Sequence, residues 1–473
     1  MRSTTCRIVV VLAAVFALAP AAHAGGPGMV LGATEDAVRS PTLAGARAQM
    51  DLLRLAGFGA VRITQIWAPG DTAVSSEDAT ILHNVTAAAA ADGIEVFASV
   101  LSHGSATTPL SDADQADFAA YAASVVTTAP SIRHVIVGNE PNLNRYWLPQ
   151  FDPDGSDAAA AAYESLLAKT YDAIKAADPG VEVIGGAVSP RGGDRPGGVR
   201  PTHSPTAFIA DLGAAYRASG RTTPIMDAFA LHPYEDNSRI APLKGLHPRV
   251  TTIAIGDYWK LVPLLAQAFD GTAQAGSTLP IYYDEFGVES QIPPAKASLY
   301  TGVEPRTTHP VDEQTQALYY RQAVQLAFCQ PNVRGLFLFH TVDETDLNRW
   351  QSGVYYADGT PKASLAGVKL ALEEARRGVV AHCSWLHLTP KPALSQKGGR
   401  LVLACNLDCT YVAQLYRLPG KRVAVRRGHA TGGRPATLPL QVPATPGRYR
   451  LRVSVRAAVN PGKPVLRLLP LHH

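Results

Sequence analysis

The stretch "HVIVGNEPN", residues 134–142, begins as a strand and ends in a polar burst. Val135, Ile136 and Val137 succeed one another without a polar residue, so both faces of that strand are apolar and both must be covered. Asn139, Glu140 and Asn142 follow where the apolar run breaks off. A carboxylate placed there suits a strand whose end opens onto a cavity.

The same pattern recurs along the chain. MVLGAT (29–34), AVRITQIW (60–67), EVFASVLS (95–102), HVIVGNE (134–140), VEVIGGAVS (181–189), DAFALHPY (227–234), PIYYDEFG (280–287) and GLFLFHT (335–341) all read as strands. Helix-period segments lie between them, among them residues 42–57, 79–93, 114–129, 160–178, 205–220 and 312–328, with VKLALEEARR (368–377) closing the series. A parallel strand needs a helical crossover to reach its neighbour, and the crossovers bury both faces of the sheet. Eight such repeats predict the α/β class and a (β/α)8 TIM barrel. A doubly wound open sheet would place a glycine-rich phosphate loop after the first strand, and LGATEDAVRS (31–40) is not one.

In such a barrel the functional groups sit at the carboxyl ends of the strands. Those ends carry Arg62 with Thr64 and Gln65, then His103, Asn139, Glu140, His232, Tyr234, Glu285 and His340. All are expected to face one cleft.

At 473 residues, 46% hydrophobic and 17% charged, the chain is long enough for one large domain and a smaller one. Residues 1–24, MRSTTCRIVVVLAAVFALAPAAHA, combine Arg2 and Arg7 with an apolar run and a small-residue A-H-A site, and are expected to be a cleaved signal peptide of a secreted protein. The run is too short to serve as a membrane anchor, which takes ~20 residues, and no stable membrane insertion is expected. The barrel is assigned to residues 25–378 and a second domain to 385–473.

The two parts differ in charge. From Arg376 onward there are 17 Lys and Arg against one acid, Asp408, a formal +16, which leaves −12 on the first 375 residues of a chain whose net charge is +4. Alternating runs such as RVAVRR and RYRLRVSVRAAV have the period of half-exposed strands, and predict a small basic β-sandwich. Such a module could sit on an anionic cell-surface polymer or simply stay soluble. Its aromatics do not interleave with the arginines in a nucleic-acid pattern, so no nucleic-acid partner is expected.

Cys6 leaves with the signal, and Cys329, Cys383, Cys405 and Cys409 are an even number in an exported chain, which allows two disulfides. The spacing of Cys405 and Cys409 suits a bridge across a short hairpin, leaving Cys329 to tie Cys383 to the preceding domain; free buried thiols fit the same sequence. Neither the cysteines nor the histidines have metal-ligand spacing, and no metal or cofactor is expected.

The motifs GNEPN, HPY and DEFG, in that order on the fourth, sixth and seventh strands, resemble clan A glycoside hydrolases, and within them family 39 and family 5-like enzymes. The resemblance covers roughly residues 28–375. It implies a retaining glycosidase acting on a polysaccharide or oligosaccharide, with Glu140 as acid/base, Glu285 as nucleophile and Asn139 holding the sugar 2-hydroxyl. The sequence departs from that pattern at the eighth strand, where many such enzymes carry a tryptophan; here His340 stands, with Trp350 further along.

The chemistry supports the same pair. Retaining hydrolysis needs two carboxyls ~5 Å apart, one ionised to attack and one protonated to release the leaving oxygen. Strands four and seven face each other across the barrel, and Arg62 and Tyr234 are placed to keep Glu285 an anion. Neighbouring strand residues point to opposite faces, so either Asp284 or Glu285 is expected to face the helix layer, and the motif selects Glu285 for the cleft. Sugar rings pack on flat apolar groups, for which Trp67, Trp147 and Trp350 are the candidate platforms. The glycine-rich loop 189–206 is expected to wall the cleft or to be a plain insertion. A non-catalytic sugar-binding barrel and a transglycosidase are the alternative readings.

Overall fold

A computed structural model describes residues 25–397 and 399–472; the expected leader, 1–24, lies outside the described residues. Among the described residues eight parallel strands close into a barrel in chain order: β1 (Val30–Thr34), β2 (Ala60–Trp67), β3 (Glu95–Ser102), β4 (His134–Val137), β5 (Glu182–Val188), β6 (Ala228–Leu231), β7 (Ile281–Phe286) and β8 (Val333–Phe339). The ring is closed by β1 on β8, with Val30 opposite Gly335 and Thr34 opposite Phe339. No helix among these residues is long and apolar enough to cross a membrane.

The crossover helices are α1 (Leu43–Ala56), α2 (Ser76–Asp92), α3 (Asp112–Thr128), α4 (Ala158–Ala177), α5 (Pro205–Ala218), α6 (Tyr258–Phe269), α7 (Glu313–Phe328) and α8 (Ser364–Arg376). Their starts are written in the sequence: Thr42, Ser75, Ser111, Asp157, Ser204 and Asp312 each accept a backbone N–H of the following first turn. Helix α6 was not legible, because a long irregular connection (235–257) precedes it and Pro263 stands inside it. Tyr258 and Trp259 open that helix.

Two apolar layers hold the barrel together. Its interior is filled by Ala60, Phe97, Ile136, Ile184, Ala228, Tyr282 and Phe337, and a larger layer fills the space between strands and helices. Each fully buried Val, Leu, Ile or Phe contributes ~1.5–3 kcal/mol. At the amino end of the strands a polar plug closes the barrel: His134 lies 2.7 Å from Glu182 and 2.8 Å from Glu95, and Glu182 also takes bonds from Tyr282 and Arg334. Burial works against the His134 charge, but those carboxylates raise it to about 9. This end is sealed, so access to the interior lies at the other.

The carboxyl-terminal domain is built of two antiparallel sheets. One holds β9 (Ala393–Lys397), β10 (Arg400–Ala404) and β13 (Ala436–Thr437); the other has the order β12 (Lys421–Ala430), β11 (Cys409–Arg417), β14 (Arg448–Ala457), β15 (Val465–His472). They share a core of Leu401, Leu403, Leu415, Tyr449, Leu451 and Val453. The expected Cys329–Cys383 disulfide is present and ties the end of α7 to this domain. Leu388 and Leu407 pack into the barrel's own apolar layer, and Arg377 meets Asp408 at 3.1 Å. The hairpin bridge is not formed: Cys405 and Cys409 are buried free thiols.

Candidate active site

At the open end of the barrel, β4 stops at Val137 and the chain turns through Gly138 at φ 80. Glu140 itself is at φ 41, in the left-handed region that L-residues rarely adopt, and is held there by its N–H donating to the Ala187 carbonyl at 2.8 Å. The turn delivers the Glu140 side chain into the barrel mouth.

Opposite, β7 carries a bulge. Tyr283 pairs with Leu336 but Phe286 with Leu338, so β7 takes three steps where β8 takes two. Strict alternation therefore fails at this point, and Asp284 does not face the helices. It is fully buried against Arg62 and His232, while Glu285 reaches into the cleft. The expectation that one of the pair faces outward is corrected by that extra residue.

Five ionisable groups meet here. Arg62 is 2% exposed; its Nη1 donates to Glu285 Oε1 at 2.6 Å, and its Nη2 to Ser99 Oγ at 3.1 Å and Asn139 Oδ1 at 3.3 Å. Its Nε stands 3.3 Å from Asp284. Tyr234 donates its hydroxyl to Glu285 Oε2 at 3.0 Å. His232 Nδ1 lies 3.1 Å from Glu140 Oε1 and 3.5 Å from Glu285 Oε2, and Nε2 lies 3.3 Å from Asp284.

Burial would drive the proton off His232, but Glu285 and Asp284 outweigh it and hold the ring up at about 10, a cation. Burial, then the charges of Glu285 and Glu140, push the Tyr234 hydroxyl well up, so it remains a donor. Because one nitrogen of His232 touches both carboxylates, their nearest oxygens are no farther apart than those two contacts laid end to end.

The cleft has two lobes that meet at Asn139, Tyr146, Glu285, Phe339 and Trp350. One, of about 510 Å³, is bounded by Arg62, Asp36, His340 and Glu344. The other, of about 410 Å³, is bounded by Glu140, Tyr234, Arg191 and Glu235. Pro190 and Arg191 belong to the loop 189–206, which therefore walls the second lobe. Asn142 braces that loop through the Ser189 backbone and the His203 carbonyl.

Of the residues singled out from sequence, the structure brings Arg62, Asn139, Glu140, His232, Tyr234, Glu285, His340 and Trp350 together. Trp350 folds back, stacking on Tyr234 at 4.9 Å and meeting Phe339 edge-on at 5.3 Å. Three others lie elsewhere. His103 is exposed beyond the end of β3 and lines neither lobe. Trp67 is fully buried against Phe118, because it is one residue out of phase with Arg62 and so faces the helices. Trp147 is 3% exposed and packs edge-on against Tyr163.

Phe339 was missed. It lies two residues beyond Phe337, which fills the barrel interior, so period-two reading places it on the cleft floor. Glu35, just past the end of β1, is 4% exposed; it borders the larger lobe and takes the backbone N–H groups of Ala37, Thr341 and Val342. Glu235, on the wall of the smaller lobe, was missed as well: it is 8% exposed, neither carboxylate oxygen has a hydrogen-bond partner, and burial with Asp257 and Asp236 nearby pushes it up to about 9. Outside the cleft, Asp157, His203 and Asp211 bring ligand atoms within 4.8 Å of one another, an arrangement that can hold a cation.

No family model matches the chain, and no curated protein matches it. Among solved structures, one of GH5_18 from Streptomyces cattleya in complex with GlcNAc aligns at 18% identity and TM-score 0.50, over 75% of this chain and 81% of that one. A variant GH5_18 structure from Bifidobacterium longum in complex with Manβ1-4GlcNAc aligns at 14% identity and TM-score 0.50, over 77% and 80%. The likeness is one of fold. The chain also aligns with a β-glucuronidase of Bacteroides uniformis at 13% identity and TM-score 0.44, spanning 45% of that longer chain.

Proposed function

We propose that this chain is a secreted, retaining glycoside hydrolase that cleaves β-linked glycans by double displacement. The observation that carries the reading is the pairing of Glu140 and Glu285 around one His232 nitrogen, at 3.1 and 3.5 Å, with Arg62 and Tyr234 both donating to Glu285. A non-catalytic binder needs no such pair of facing carboxyls at a cleft junction.

Arg62 and His232 supply two positive charges against Asp284 and Glu285. Glu140, the third carboxyl, stands 3.1 Å from His232 and faces the cleft as the acid/base. Glu285 attacks the anomeric carbon, forming a C–O bond as the bond to the leaving oxygen breaks. Glu140 gives that oxygen its proton. Glu140, now ionised, takes a proton from water, whose oxygen attacks the same carbon and frees Glu285. Because the proton donor stands in the smaller lobe, that lobe takes the leaving group, and the lobe holding Arg62 and His340 takes the sugar that becomes attached.

Export is supported by the sequence of residues 1–24 and by the Cys329–Cys383 disulfide, which persists in oxidising compartments. The test is release of aryl alcohol from a panel of aryl β-glycosides by the wild type and by Glu285→Gln. Turnover by the wild type alone supports the assignment; equal turnover by both removes Glu285 from its role. Silence across aryl glycosides and β-glycans alike supports a binding barrel, and accumulation of longer oligosaccharides supports transglycosylation.

A further inference from the structure

The charge of the carboxyl-terminal domain is not spread evenly. Along β14 the buried residues Tyr449, Leu451, Val453 and Val455 alternate with exposed Arg448, Arg450, Arg452 and Arg456, only Ser454 interrupting the basic series. Residues two apart on a strand share a face and stand ~7 Å from one another. Through β11 this face continues to β12: Thr410, Val412, Gln414 and Tyr416 pair with Arg456, Ser454, Arg452 and Arg450 on one side, and Val412 and Tyr416 with Arg427 and Arg422 on the other. Six arginines therefore share one side of a four-stranded sheet.

None of the six has a carboxylate partner among the described residues. The domain's single acid, Asp408, is engaged by Arg377 and by the Gly432 N–H. On β15 the residues opposite Arg450 and Arg452 are Pro470 and Leu468. Like charges crowded without counter-charge weaken a fold by self-repulsion, so this face is built at a cost to stability. A hollow of about 420 Å³ opens on it, lined by Tyr416, Arg450, Arg452, Leu466 and Leu468.

We infer that this arginine face is a binding surface for an acidic polysaccharide, a polymer bearing carboxylates along its length. The planar guanidinium fork takes a carboxylate through two parallel bonds, which a regular row of arginines repeats along a chain of acidic sugars. Tyr416 offers a ring for a sugar face, and Thr410, Gln414 and Ser454 offer hydrogen bonds between the charges. Tyr416 and His429 lie at opposite ends of the face, so there is no stacking platform for successive nucleic-acid bases. The aliphatic contribution is limited to Val412, Val425, Leu466, Leu468 and Pro470, interspersed with the arginines, too little to bury in a lipid surface. The choice of a glycan as the anion rests on the glycosidase reading of the barrel: the face would hold the enzyme on its polymer.

The test uses the full chain and its Glu285→Gln form, in gels containing polygalacturonate, heparin or neutral dextran, and with phosphatidylglycerol vesicles. Retention by the acidic polymers at about 0.01 M ionic strength, lost at about 1 M and absent with dextran, is expected of both forms. Arg450→Gln/Arg452→Gln/Arg456→Gln should weaken retention by about tenfold or more, about 1.4 kcal/mol for each factor of ten, with the thermal unfolding temperature no lower and turnover of small aryl glycosides unchanged. The corresponding triple lysine variant, keeping charge but losing the fork, should fall between. Wild-type retention that the glutamine substitutions do not alter overturns the assignment, as does failure to bind either acidic polymer. Vesicle binding stronger than polymer binding makes the face a membrane surface instead. Loss of hydrolysis by Glu285→Gln with retention intact separates this face from the barrel's chemistry.

Discussion

Arg62 on β2 donates to Glu285 on β7 across 2.6 Å, from a side chain almost wholly removed from water. The bond reaches across the barrel mouth and fixes where the Glu285 carboxyl points. A charge-assisted bond of this length is roughly twice as strong as a neutral one.

Removing either carboxyl should abolish most turnover without unfolding the protein. Glu140→Ala and Glu285→Ala are each expected to lower kcat by ~10²–10⁴ or more, the range for loss of a positioned acid or nucleophile. Azide should partly restore both, giving a β-glycosyl azide with the first and an α-glycosyl azide with the second. Chromatography of the products distinguishes them, and swapped anomers would exchange the two roles.

His232 makes stability depend on pH in a definite direction. Its folded value of about 10 exceeds the unfolded ~6.5, so its contribution is complete below ~6.5 and is lost as pH rises toward 10. Urea denaturation of the wild type and of His232→Asn should show a gap that narrows across that window. A gap that widens with pH would mean the ring is held neutral.

Glu235 acts in the opposite sense to an ion-paired acid. Held up at about 9, it keeps its proton in the fold while the unfolded chain ionises above ~4.5, so it lowers stability as pH rises between those values. Glu235→Gln should leave the melting temperature unchanged at pH 4 and raise it at pH 8. An equal shift at both would place its effect in packing alone.

Lys362 is buried, donating to Asp343 at 2.7 Å, Ser290 at 2.8 Å and the Gln351 carbonyl at 3.0 Å. It braces the segment that carries Trp350 over the cleft. Lys362→Met, which strands the Asp343 charge, should cost ~3–5 kcal/mol in denaturant unfolding and raise KM more than it lowers kcat. A change below ~1 kcal/mol would show that Asp343 takes up a proton instead.

The barrel was readable because its signal is repeated: each doubly apolar strand ends in polar residues, and each helix but α6 and α8 announces its start. Glu140, Glu285 and their partners followed from their places at strand ends. Trp67 and Trp147 did not, since a tryptophan near a strand end looks the same whether it faces cleft or helices; for Trp67 the phase relative to Arg62 decides. Asp284 escaped because a bulge breaks the alternation on which the reading depended. Glu235 escaped because its burial comes from a loop folding over it, with Gly245 pressed against its carboxylate.

The most direct test of double displacement at Glu285 is the anomer first released. Proton NMR of an aryl β-glycoside that the enzyme hydrolyses, recorded before mutarotation sets in, should show the β-hemiacetal appearing first. The α-hemiacetal appearing first would mean that water attacks directly, and that Glu285 is not a nucleophile.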